Sequence, residues 1–244
     1  MKFLSILSFA LIFTSILFSC NNQTGLKGGS DADSLKPGEK VVLSENGKLH
    51  YIVESKDGKT NGRVREYYPN GILYMDAIYK DDHRNGKCTF YHKNGKPFSV
   101  CYFINGARDS IDTKFGEDGS ILALVPYKND KVQPGLKEFK KDGSELIDTT
   151  RLQIKAINNL AKSGKYFLRV SLSEPRKNVK FYASSESFPD SREMLKMSGN
   201  EGTLEVPVSA SGFVAKNIFI DAEYTTSMGN TRRLQKLYKF SSVK

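Results

Sequence analysis

Three cysteines, three histidines and a few adjacent carboxylates are the residues of this 244-residue chain whose chemistry could define a site. Cys88 and Cys101 flank an Asn94-Gly95 dipeptide. If that dipeptide forms a two-residue type I′ turn, paired positions sum to 189, Cys88 faces Cys101, and a disulfide can close between them. If the turn is instead type I followed by a glycine bulge, the register shifts by one. The cysteines then part to opposite faces as two small buried hydrophobes. Both alternatives stand at this point. No metal site is expected, because the two cysteines and His92 lack a fourth ligand and the C-x-x-C spacing. His50 and His83 are not at ligand spacing with any other histidine. Asp81-Asp82 falls where turn geometry itself favours aspartate, and Ser241-Ser-Val-Lys244 spells S-x-x-K without a supporting base. H-E-x-x-H, G-x-S-x-G, a phosphate-binding loop and Rossmann glycines do not occur. The expectation is a protein that is not an enzyme and needs no cofactor.

Two further sets of side chains could bind rather than react. Tyr67, Tyr68, Tyr91 and Phe115 form an aromatic set, and aromatics give large contact area at low entropy cost. They line a binding groove or simply cover one face of a thin sheet. Arg176, Lys177, Lys180, Arg232 and Arg233, with Lys236 and Lys239, form a basic set. Residues 151–244 hold 16 Lys/Arg against 8 Asp/Glu, whereas residues 38–150 hold 18 against 17, so most of the net charge of +10 lies in the second half. Such a face would meet a phosphate-rich membrane surface or an acidic partner, or be an ordinary solvated surface.

The elements that carry these residues repeat. Gly47, Gly71, Gly95, Gly119 and Gly143 lie 24 residues apart, each preceded by Asn or Asp. Nine residues earlier runs a second column, Gly38, Gly62, Gly86, Ser110 and Pro134. Five residues after that comes an apolar column, Leu43, Tyr67, Tyr91, Phe115 and Phe139. Another follows each Asn/Asp-Gly by three residues: His50, Tyr74, Phe98, Leu122 and Leu146. Alternating apolar and polar residues around Asn/Asp-Gly predict hairpins: a strand near 63–68, a strand near 72–79, and a polar connection from Lys80 to Gly86. No 3.6-residue period competes. A unit this short cannot bury its own face, so neighbours stack into an elongated antiparallel meander over residues 38–150.

Gly62-Arg-Val-Arg-Glu-Tyr67-Tyr68-Pro-Asn70-Gly71 and Gly86-Lys-Cys-Thr-Phe-Tyr91-His-Lys-Asn94-Gly95 resemble the bacterial variant of the MORN repeat, a family that includes antitoxin-like proteins. The resemblance implies hairpins in an extended twisted sheet, a scaffold that contacts proteins or lipids, and no catalytic residues.

The start of the chain carries its own signal. A short basic start, an apolar run from Phe3 to Phe18 and then Ser19-Cys20 predict a signal peptide at 1–19. Leu17-Phe18-Ser19-Cys20 resembles the lipobox of bacterial lipoproteins, which implies cleavage before Cys20 and lipid modification of that cysteine. Residues 20–37 read as a flexible tether with a reach of roughly 20–25 Å. The resemblance further implies an address at the cell envelope, anchored through lipid, and at the outer membrane because residue 21 is not the Asp that in lipoproteins favours inner-membrane retention. Partners would be the membrane and an unknown envelope protein, lipid or glycan; nucleic acid is not expected. From 151 to 244 the period stops. Six alternating strands and an expected helical turn near Arg192–Met197 suggest a small Ig-like β-sandwich, making the chain all-β.

Overall fold

Strand-forming residues and closely spaced turn signals leave little room for helix. The computed structural model describes Leu35 and residues 38–209, 212–213 and 217–240. The leader at 1–19, Cys20, the tether apart from Leu35, and Ser241–Lys244 lie outside the described residues. The first sheet has eleven strands: β1 (Glu39–Leu43), β2 (Leu49–Lys56), β3 (Lys59–Tyr67), β4 (Leu73–Lys80), β5 (His83–Tyr91), β6 (Pro97–Ile104), β7 (Ala107–Arg108), β8 (Ser110–Phe115), β9 (Ile121–Lys128), β10 (Lys131–Val132) and β11 (Lys137–Glu138). Each long strand pairs antiparallel with the next, which is the expected meander.

Two kinds of turn alternate along it. At each Asn/Asp-Gly the turn is type I with a glycine bulge: Gly95 takes φ +80°, its N–H donates to His92 O, and His92 N–H donates to Lys96 O. One residue further in, the register shifts again. Tyr91 pairs with Pro97 but Phe90 with Ser99, which leaves Phe98 as an extra residue. A proline, with no N–H for the ladder, suits that irregular place. The same second shift singles out His50, Tyr74 and Leu122 in their hairpins. At the other edge, Asp57-Gly58, Asp81-Asp82, Asn105-Gly106 and Asn129-Asp130 all have φ above zero and close two-residue type I′ turns. The connection expected from Lys80 to Gly86 is therefore a tight hairpin, and β5 already begins at His83.

Side chains staple successive units. Tyr68 Oη donates to Tyr91 O at 2.8 Å, and His92 Nε2 donates to Phe115 O at 3.0 Å. Asn94 Nδ2 reaches Glu117 O, and Lys96 Nζ reaches Asp118 O. On the opposite edge Thr60 N–H donates to Asp82 Oδ1, and Arg108 N–H to Asp130 Oδ1.

The second half is built from β12 (Leu152–Asn159), α1 (Leu160–Ser163), β13 (Lys165–Leu172), β14 (Lys177–Ser185), β15 (Glu193–Met194), β16 (Lys196–Ser198), β17 (Glu201–Val206), β18 (Val208–Ser209), β19 (Gly212–Phe213), β20 (Asn217–Thr225) and β21 (Thr231–Lys239). One four-stranded sheet runs β12-β13-β17-β16 and another β15-β14-β20-β21, while β18 and β19 pair separately. These orders follow the ABED and CFG sheets of an immunoglobulin-type sandwich, with β15 added beside the second. Inward positions of both sheets supply one core, in which Leu168, Val170, Phe181, Ile220 and Ala222 are fully buried. Each large side chain buried there contributes on the order of 1.5–3 kcal/mol. The helical turn expected near Arg192–Met197 is extended instead, as β15 and most of β16. Among the described residues, helix occurs only at Leu160–Ser163, ended by Gly164 at φ +66°.

Candidate functional site

Strand alternation sorts the side chains of the repeat sheet onto two faces. The near face is the one on which the sandwich docks. It carries Val64, Met75, Ala77, Cys88, Cys101 and Phe103 as a buried cluster, edged by Tyr51, Tyr79 and Phe90. Tyr51 Oη bonds Glu66 Oε1 there, and burial together with that carboxylate pushes the Tyr51 hydroxyl up to about 12. Arginines lie over the rings: Arg84 over Phe90 and Phe103, and Arg108 over Tyr127.

The far face has a different make-up. Register places Leu43 beside Leu49, Tyr67 beside Leu73, Tyr91 beside Pro97, and Phe115 beside Ile121. Because all eight lie at the same height near the Asn/Asp-Gly turns, they form one apolar row across β1 to β9. Two levels further along the strands come Arg63, Ile78, Lys87, Tyr102, Ile111 and Pro126, then Lys80 and Ile104. Ile78, Tyr102, Ile104 and Ile111 are each 41–52% exposed. Arg63 is tied to Asp76 by two bonds, Nε to Oδ1 at 2.7 Å and Nη2 to Oδ2 at 2.6 Å. Tyr91 lies close enough that burial, and then the Asp76 charge, raises its hydroxyl above the ordinary value.

Of the expected aromatic set, Tyr67, Tyr91 and Phe115 share this far-face row, while Tyr68 faces the near side beside Tyr74. Tyr67 is only 6% exposed, and Tyr91 and Phe115 are half-buried, so they form the base of the face more than an open groove. The contact area comes from residues that the aromatic columns do not mark. Leu49, Leu73, Pro97 and Ile121 each follow the turn glycine by two positions, so the signal was present. The column three positions after it is instead the bulged one, and Tyr74, packing on Phe90, shows which way the bulge turns it.

The expected basic face is corrected. Arg176, Arg232 and Arg233 do not project into solvent; they are bound where the sandwich meets the repeat sheet. Arg176 Nη2 contacts Asp148 Oδ1 at 3.0 Å and Glu174 Oε2 at 2.9 Å. Arg232 reaches Asp148 at 3.4 Å and Glu138 at 3.9 Å. Arg233, 5% exposed, grips Asp221 with two bonds and also reaches Val132 O and Gln133 Oε1. Buried Glu138 Oε1 accepts from Thr226 Oγ1 and Asn230 Nδ2, both at 2.7 Å, and Lys114 Nζ donates to Asn230 Oδ1. Asp148 also accepts from Tyr224 Oη at 2.8 Å. Burial works against the Asp148 charge, yet Thr150, Tyr224 and Arg176 hold its carboxyl below the ordinary range. Glu138 and Asp148, the carboxylates arriving from the end of the repeat region, draw Arg176 and Arg232 inward, while Arg233 is held by Asp221 of its own sheet. Lys177 and Lys180 remain at the surface.

Cys88 and Cys101 are directly opposite each other, on the same face, and free. Neither sequence alternative holds whole: the turn has its glycine bulge, but the second shift at Phe98 restores the 189 register. Two small buried hydrophobes face each other, without a disulfide between them. Among the described residues no group of three or more His, Cys, Asp or Glu comes together at metal-binding distance.

No curated protein matches the chain. Residues 60–81, which are β3, its turn and β4, and residues 84–105, which are β5, its turn and β6, each match the MORN repeat variant.

Proposed function

We propose that the chain is a non-enzymatic lipoprotein of the cell envelope, anchored at the outer membrane through lipid on Cys20, whose repeat sheet is a scaffold for a protein partner. The observation that carries this reading is the far face. An apolar row spans eight strands with a second band of Ile78, Tyr102, Ile104 and Ile111 beyond it, on the side of the sheet away from the sandwich. Contiguous exposed apolar surface of this kind marks interaction sites. The two matched repeats support it, since MORN-type repeats commonly mediate contacts with proteins or membranes. A photo-reactive residue at Tyr102 or Ile111 should capture one protein in intact envelopes, while the same residue at Lys155 of the sandwich should not. Equal capture from both positions, or none from either, would remove the reading. The lipid anchor is tested separately: Cys20→Ser should release the protein from the membrane fraction.

A second reading is a lipid- or glycan-binding module, favoured by the cations Arg63, Lys80 and Lys87 beside the same apolar band. Binding of the purified protein to anionic vesicles that falls steeply with salt would select it over the protein scaffold.

A further inference from the structure

The unused chemistry of the near face is the cysteine pair. Cys88 on β5 and Cys101 on β6 are Cα partners in the antiparallel ladder. Backbone groups of Tyr102 point away, toward Asp109, so those of Cys101 point toward β5 and the two cysteines form a hydrogen-bonded pair. Such a pair has its Cα atoms about 5.5 Å apart, inside the window that a disulfide spans. The Cys101 thiol already reaches across the ladder: its Sγ donates to the Cys88 backbone carbonyl oxygen at 3.8 Å. The neighbouring Cys101 thiol, with burial, lifts the Cys88 thiol well above its ordinary value, and Cys88 in turn holds Cys101 below its own.

Both cysteines are buried, at 0% and 3% exposure. Their cover is thin, because the side chains packed against this cluster, Tyr51, Val53, Tyr74, Tyr79 and Phe90, all come from the same sheet. Arg84, whose charge acts on Cys88, lies over Phe90 and Phe103 at the margin. A small disulfide can reach the pair only if side chains at this margin rotate aside.

We infer that Cys88 and Cys101 are a reversible redox pair, a dithiol that a low-molecular-weight disulfide converts into a cross-strand bond locking β5 to β6. In the first step the Cys101 thiolate attacks a glutathione disulfide, forming a mixed disulfide and expelling one glutathione thiolate. Cys88 then gives up its proton and attacks the Cys101 sulfur, expelling the second glutathione. Two electrons pass from the cysteines to the glutathione disulfide, and the two protons end on the two released thiols. The pair lies behind β5 and β6, which carry Tyr91, Pro97 and Tyr102 on the far face, so the bond would stiffen the middle of that surface. The inference rests on side-chain placement and holds whichever address or partner the chain has.

The test uses the full-length folded protein, equilibrated with millimolar oxidised glutathione, quenched in acid, alkylated, digested and read by mass spectrometry. The linked Cys88–Cys101 peptides should dominate and disappear with dithiothreitol, and far-UV circular dichroism should stay unchanged. Closing a loop of this length should also shift the unfolding equilibrium toward the native state by roughly 100-fold. Peptide identification keeps Cys20 out of the count. In Cys88→Ser, glutathione should remain on Cys101 as the stalled first step. The inference is overturned if the folded wild-type chain keeps both thiols alkylatable, or holds glutathione on one of them, while the urea-unfolded chain forms the link.

Discussion

Glu138 should be the residue on which the joint between the repeat sheet and the sandwich most depends. It is 3% exposed, it sits on the last strand of the repeat sheet, and its Oε1 accepts from both Thr226 and Asn230 of the sandwich. Arg232 lies 3.9 Å from its other oxygen. In Glu138→Ala, Thr226 and Asn230, themselves 8% and 6% exposed, lose a buried acceptor, and each orphaned donor costs about 1–3 kcal/mol. Arg232 keeps Asp148, so its loss is partial. Removing one member of a buried charged pair typically costs about 3–5 kcal/mol, and the two estimates meet at about 4 kcal/mol. Glu138→Gln retains one acceptor and should cost about half as much. The assay is urea unfolding followed by circular dichroism, with an Asn230→Ala partner for a double-mutant cycle. A coupling energy of about 1–3 kcal/mol between positions 138 and 230 is expected. A Glu138→Ala loss below about 1 kcal/mol, or additive effects in the cycle, would show that the halves are held together by something other than this cluster.

Other outcomes follow from the backbone and the tyrosines. Gly86→Ala should destabilise the protein by about 2 kcal/mol, because Gly86 has φ +126° and an added Cβ would stand 3.3 Å from Ile78 Cβ. Gly95→Ala, at φ +80° with open space around it, should cost less, about 1 kcal/mol, in the same urea assay. Burial first, and then Glu66 for Tyr51, Asp148 for Tyr224 and Tyr166 for Tyr238, push these three hydroxyls up to about 12. A raised folded-state value means the neutral form is favoured by folding. That stability is complete below pH 10 and is lost as pH climbs from 10 toward 12. Spectrophotometric titration should show a late-ionising fraction that Tyr51→Phe and Tyr224→Phe diminish, and the urea midpoint should fall over the same interval.

How much of this was legible in the sequence depends on how local the cause is. The meander was readable because each Asn/Asp-Gly acts within its own few residues. The opposite turns were also written in the chain, at Asp57, Asp81, Asn105 and Asn129, one unit apart. Asp81-Asp82 reads as polar connection because only the backbone reveals that both aspartates adopt φ above zero. The facing of Cys88 and Cys101 needed two irregularities that cancel, and the second, at Phe98, falls in a largely apolar column that reads as ordinary strand. The arginine set failed for a different reason. Arg232 finds Glu138 and Asp148 only after ninety-four and eighty-four intervening steps of chain respectively, so its charge read as free surface until tertiary structure supplied the carboxylates.

The staples between units carry a consequence for how this molecule can change. Tyr68 reaches the backbone of the following unit, and His92 repeats the contact one unit later, whereas among the described residues the hydrogen bonds from the sandwich to the repeat region fall at Lys114 and beyond. Duplicating or deleting a whole 24-residue cassette upstream would therefore leave the joint untouched and create no new kind of edge. Each cassette adds two strands, about 10 Å of sheet width. Span is thus a dimension that inheritance can lengthen or shorten in fixed increments, much as a vernier advances by whole divisions, while the terminal sandwich keeps its place.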